Sequence, residues 1–207
     1  MNSNERDSYL TVFREYRAPE LKISGSRFIP IIIPVATKQE AESALKRIRK
    51  EFYDATHHCY AYRLGINGEY SRAADDGEPA GTAGRPILTI LQGAELTNVL
   101  CVATRYFGGT KLGTGGLARA YSETARLAVE GAGKHEIFLT ETFTLGCSYE
   151  ELAPLERLLA QYDIRPSRSD FGDKVSLTVH VRRSLADKFS SEITEKFYGK
   201  VIITTLE

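Results

Sequence analysis

Glycines and cations crowd the segment Thr104–Tyr121, which reads T-R-Y-F-G-G-T-K-L-G-T-G-G-L-A-R-A-Y. Its five glycines are Gly108, Gly109, Gly113, Gly115 and Gly116. Gly108 and Gly109 free the chain to take positive φ, while Gly115 and Gly116 leave backbone N–H groups open at the start of a helix. Unpaired N–H groups and the helix dipole both favour an anion at such a place. Arg105, Lys111 and Arg119 put cations close by in sequence. The candidate anion-binding set is therefore Arg105, Lys111, Gly113, Gly115, Gly116 and Arg119. The same glycines also suit a purely structural turn that packs backbone on backbone, and the loop alone does not separate the two uses. The segment is not a Walker loop, because no G-K-[ST] ending brings a lysine and a hydroxyl to the phosphates.

Asp75, Asp76 and Glu78 form a second cluster, in the loop A-D-D-G-E-P-A-G-T-A-G-R-P. Like charges are costly to crowd unless something positive sits beside them. Either Arg85, Arg105 or Lys111 pairs with them and fixes the glycine loop, or they hold Mg²⁺ with a phosphate completing its shell. No catalytic motif accompanies the loop, which favours the ion pairs, so no metal or other cofactor is predicted. His57-His58-Cys59 invites a zinc reading, but strand neighbours point to opposite faces and zinc wants three or four protein ligands. Cys59 as a nucleophile lacks an identifiable oxyanion device. These residues are expected to pack, and no catalytic residue is assigned.

The elements around these residues follow from periodicity. Val99–Ala103 is short and apolar, a buried strand feeding the glycine loop, and a helix follows from Leu117. Thr37-Lys38-Gln39-Glu40 is a capping box that opens a helix to about Tyr53. Thr56–Leu64 reads as a strand, with a hairpin at Asn67-Gly68. Pro30 and Pro34 cannot donate ladder bonds, so Ser26–Pro34 is expected at an edge or bulged. Ile87–Gly93 fits strand or helix equally. From Phe138 the order becomes β-α-β-β-α-β, a ferredoxin-like unit. The expected fold class is α+β, in two domains over residues 1–134 and 135–207, with the break near Gly131-Ala132-Gly133.

Composition excludes several classes. The 207 residues carry 27 basic and 27 acidic side chains, so bulk charge does not mark a nucleic-acid binder and any binding surface must be a local patch. No apolar run approaches the ~20 residues of a membrane helix. The polar start Met1–Arg6 is no signal peptide, and the expected location is the cytoplasm, with no membrane partner. Three cysteines, Cys59, Cys101 and Cys147, fit reduced buried thiols rather than a disulfide framework.

Four motifs carry a family resemblance: R-F-I-P at Arg27–Pro30, A-T-H-H-C-Y-A-Y at Ala55–Tyr62, D-D-G-E-P-A-G-T-A-G-R-P at Asp75–Pro86, and R-Y-F-G-G-T-K-L-G-T-G-G-L-A-R-A-Y at Arg105–Tyr121. Together they resemble the IMPACT/YigZ family, over most of residues 20–130. The tail resembles the small ferredoxin-like domain of bacterial members, itself similar to the fifth domain of elongation factor G. The resemblance implies an N-terminal α/β sandwich like the second domain of a small-subunit ribosomal protein, a superfold shared with GHMP kinases. It also implies a role near translation, since eukaryotic members regulate a stress-responsive kinase of translation initiation. It brings no catalytic residues. The expected function is a non-enzymatic protein binding RNA, the ribosome or a translation factor through the glycine loop, with Asp75, Asp76 and Glu78 positioning it. The alternative is an enzyme acting on a phosphorylated small molecule or nucleotide, with Mg²⁺ at the acidic loop.

Overall fold

A computed structural model describes residues 7–206; the polar start Met1–Arg6, read above as no signal peptide, lies outside them. The contacts divide the chain into two units, one of them Ser8–Ile137 and the other holding Asp7 and the chain from Phe138 onward.

In the first unit, β1 (Ser8–Thr11), β2 (Tyr16–Arg17), β3 (Leu21–Ile23) and β4 (Ser26–Pro34) precede α1 (Lys38–Glu51). The capping box forms as expected: Thr37 Oγ1 accepts the Glu40 amide at 3.2 Å, and Glu40 reaches back to the Ala36 amide at 2.7 Å. The hairpin β5 (His57–Leu64) and β6 (Tyr70–Ala74) follows, then α2 (Gly84–Gly93), β7 (Val99–Tyr106), α3 (Gly113–Ala132) and β8 (His135–Phe138). The main sheet runs β2-β4-β7-β5-β6, with β3 beside β4, and its pairs are antiparallel.

Helices α2 and α3 cover one face, packing Ile87, Leu91, Leu117, Tyr121 and Ala125 on Phe28, Ile32, Cys59, Cys101 and Ala103. Helix α1 covers the other, with Ala41, Leu45 and Ile48 on Ile31, Tyr60, Leu100 and Val102. Strand β7 is buried on both faces, which is why it reads as an unbroken apolar run. The uncommitted stretch Ile87–Gly93 belongs to helix α2.

Strand β4 is not at an edge, a correction to the proline argument. It lies between β7 and the short strands β2 and β3. The Pro30 carbonyl accepts the Ala18 amide at 3.1 Å. A strand residue's N and C=O point the same way, so the proline's missing N–H faces the broken side of the ladder between β3 and β2.

The second unit is ferredoxin-like. Its elements are β9 (Thr140–Cys147), α4 (Tyr149–Gln161), β10 (Arg168–Phe171), β11 (Val175–Arg182), α5 (Arg183–Phe197) and β12 (Ile202–Leu206). They make the antiparallel order β10-β11-β9-β12. Alternating Val175, Leu177, Val179 and Val181 pack on Leu155, Leu158, Phe189 and Ile193. The architecture is α+β throughout.

Candidate functional site

The end of the first unit's sheet, where β7 finishes beside the start of β5, carries the chemistry. His57 is the register partner of Arg105 across these two strands. The Thr56 amide donates to the Arg105 carbonyl at 2.9 Å, and the Phe107 amide donates to Thr56 Oγ1 at 3.0 Å. The chain then crosses Gly25-Ser26 at Gly108. A Cβ on Gly108 would stand 1.8 Å from the Gly25 carbonyl carbon, so no other residue fits that crossing. Part of the glycine loop is therefore structural.

A cavity of about 440 Å³ opens at this end. His57, Glu78, Arg105 and Phe107 line it together with Lys111 and Thr114 at the start of α3, and Pro79, Leu112 and Leu117 make its walls apolar. Leu112, in the N-cap position, offers no side-chain hydrogen bond, so the first amides of α3 are not capped that way.

The cavity is backed by a buried polar cluster. The Arg105 and Glu78 side chains are each 4% exposed and form an ion pair at 2.5 Å. Arg105 also donates to Ser26 Oγ at 3.1 Å, but its Nε has no partner among the described residues. Glu78 Oε1 accepts the Tyr121 hydroxyl at 2.7 Å. Burial, then the neighbouring Cys59 and Glu78, pushes the Tyr121 phenol well above its ordinary value, so it stays a donor. His57 Nδ1 lies 2.8 Å from the Asp76 carbonyl oxygen. That oxygen only accepts, so Nδ1 carries the hydrogen; in the neutral ring Nε2 then keeps a free lone pair. Nε2 stands 3.8 Å from Glu78 Oε1.

The three acidic residues do different things. Asp75 accepts the amides of Gly81 at 2.8 Å, Ala83 at 3.0 Å and Gly84 at 2.8 Å, so it caps α2. Burial would raise its carboxyl, but these amides outweigh that and hold it below the usual range. Asp76, at φ +46°, pairs with Arg49 at 2.7 Å and accepts the His58 amide at 2.7 Å. Only Glu78 of the three lines the cavity. Among the described residues, no group of three or more His, Cys, Asp and Glu side chains is placed to hold a metal ion.

Of the anion-binding set, the cavity gathers Arg105, Lys111 and Gly113, and leaves Gly115, Gly116 and Arg119 outside its lining. Gly113, at φ +69°, turns the chain into α3. Arg119 is exposed, with Nη1 3.7 Å from where a Gly115 Cβ would stand. The cavity also recruits His57, assigned above to packing, and Phe107, Thr114, Leu117 and Pro79, none of which was assigned to a site. An aromatic immediately before Gly108-Gly109 was the available signal for Phe107; nothing marked Pro79. Cys59 does pack: its thiol donates to the Asp75 carbonyl at 2.9 Å, and burial pushes it up to about 12.

Comparison with known proteins matches residues 24–129 to the Impact N-terminal domain and residues 145–200 to a domain of unknown function, DUF1949. The Bacillus subtilis IMPACT family member YvyE is 37% identical, over 93% of this chain and 88% of that protein. The Escherichia coli IMPACT family member YigZ is 34% identical, over 90% and 92%. A crystal structure described as that of a hypothetical protein superposes with a TM-score of 0.67 at 31% identity, covering 98% of this chain and 99% of that one. No helix among the described residues is long and apolar enough to cross a membrane. Two domain matches in the same order along the chain, and relatives aligned over nearly their whole length, have one consequence: the chain belongs to the IMPACT family.

Proposed function

We propose that the chain is a non-enzymatic cytoplasmic protein of the translation machinery that receives backbone phosphate of RNA at this cavity. One observation carries the reading: Lys111, the start of α3 and a buried arginine with an unpaired Nε all line the same cavity. A phosphate oxygen meets there an ammonium, open amides and the positive end of a 20-residue helix. Gly115 and Gly116 let the backbone of the next turn come close, and Arg119 adds an exposed cation alongside. Asp75 and Asp76 hold the loop from which Glu78 fixes Arg105. The resemblance to the IMPACT/YigZ family, with its implied place near translation, names the machinery.

Co-sedimentation with ribosomes across a salt series tests this. Binding should weaken steeply with salt and disappear after RNase treatment. Absence from the ribosomal pellet at low salt would overturn it. A second reading, an enzyme of a phosphorylated small molecule, is favoured by the cavity's volume, which lies within the range of small-ligand sites. A rise in melting temperature with a nucleotide or sugar phosphate plus Mg²⁺, without ribosome binding, would support it.

A further inference from the structure

The cavity offers acceptors as well as donors, and a bare phosphate has no use for acceptors. With the ring neutral, His57 Nδ1 donates to the Asp76 carbonyl and Nε2 is left as an acceptor on a residue that lines the cavity. Glu78 spends Oε1 on Arg105 and Tyr121, and its Oε2 has no hydrogen-bond partner among the described residues. The two side chains stand together, with Nε2 3.8 Å from Oε1. The two side chains are 18% and 4% exposed, and neither acceptor is among the buried polar atoms without a partner, so water satisfies them until the donors of a ligand replace it.

A single hydroxyl serves such a pair poorly, because its one hydrogen satisfies one acceptor and turns lone pairs on the other. Two adjacent hydroxyls serve it well. Ribose with free 2′ and 3′ positions presents two neighbouring donors, and a carboxylate accepting from a ribose hydroxyl is a familiar recognition device. The ring between them is apolar enough to lie against Phe107, Leu112 and Leu117, which form the cavity's walls.

We infer that the cavity binds a ribose phosphate with a free 2′,3′-diol, the diol on His57 and Glu78 and the phosphate at Lys111 and the start of α3, and that its source is the 3′ end of an RNA. This rests on the anion site proposed above and adds which part of the RNA enters it. A chain continuing through the 3′ oxygen lacks one of the two donors, so internal nucleotides bind less well.

Fluorescence polarisation with one short oligoribonucleotide prepared with three ends, a free diol, a 3′-phosphate and a 2′,3′-dideoxy end, tests the inference. The free diol should bind about tenfold more tightly than the other two, the loss expected for one hydrogen bond to a charged or partly buried acceptor. His57→Phe should abolish that preference, and His57→Gln, which restores an acceptor, should recover part of it. Melting temperatures of both variants check that the fold is kept. Equal affinity for the three ends in the wild type would overturn the diol assignment, while a loss of affinity in Lys111→Ala for every end would leave the anion site standing. No effect of Lys111→Ala on any end would overturn the anion site and the diol with it. Competition by uridine 5′-monophosphate supports the ribose-phosphate chemistry with a free nucleotide as its source. End preference without such competition supports the RNA terminus.

Discussion

Asp75 Oδ1 accepts the backbone amide of Gly84 at 2.8 Å, so α2 is capped by a carboxylate nine residues upstream of that amide. The same carboxylate takes the amides of Ala83 and Gly81. Asp75→Asn keeps one acceptor and turns an NH₂ on the remaining amides. It should cost about 1–2 kcal/mol at pH 7 by urea denaturation. The folded-state pKa is depressed, so the Asp75 contribution is present above the unfolded value and lost as pH falls through the folded one. The gap between wild type and variant should therefore close below about pH 4. A gap that persists at lower pH would rule out the ionised cap.

Arg105 and Glu78 are a buried pair whose members cannot be removed singly. Arg105→Met leaves a carboxylate at 4% exposure facing a tyrosine hydroxyl and an imidazole. The expected loss is roughly 3–5 kcal/mol, and most of it should return in the double variant Arg105→Met, Glu78→Leu. Chemical denaturation of the two singles and the double gives the coupling energy. Additive losses would mean the two charges do not depend on each other.

These two relationships mark where the sequence stopped being legible. Local signals were readable because their partners lie within a few residues: the Thr37–Glu40 box, the alternation of Val175–Val181, and the apolar run of β7 all stand as their patterns predict. The prolines of β4 misled because their cost depends on which neighbour lies beside them. Two short strands with a gap between them leave no ladder bond for Pro30 to miss. The acidic loop looked like one cluster because its members are close in sequence. Its carboxylates instead diverge to a helix start, to Arg49 and to Arg105. His57 looked like packing because no pattern shows that a carbonyl 19 residues away fixes its tautomer.

Lys111 and Arg119 are neighbours in the motif but differ in place: Lys111 lines the cavity and Arg119 lies exposed beyond it. Lys111→Ala should weaken RNA binding and lower the slope of log affinity against log salt by about 1. Arg119→Ala should change affinity less, since an exposed cation further from the phosphate is screened by salt. Filter binding across a salt series compares them directly. Equal losses would move the anion from the cavity mouth onto the outer face of α3.

Gly115 separates the structural glycines from one that packing does not require. A Cβ there would meet nothing closer than the Arg119 guanidinium at 3.7 Å, whereas a Cβ on Gly108 would collide with the backbone of Gly25. Alanine is the better helix former by up to about 1 kcal/mol, less in a first turn. Gly115→Ala should therefore leave the fold intact and hold or slightly raise its melting temperature. If α3 receives a phosphate through amides that need close approach, the same methyl group stands in the way, and RNA affinity should fall. Gly108→Ala should instead destabilise the protein before binding is reached. Thermal melts and RNA binding measured on both variants separate the two roles. A Gly115→Ala protein that is stable and binds RNA as well as the wild type would remove this turn of α3 from the contact, leaving Lys111 and Arg105 to hold the anion.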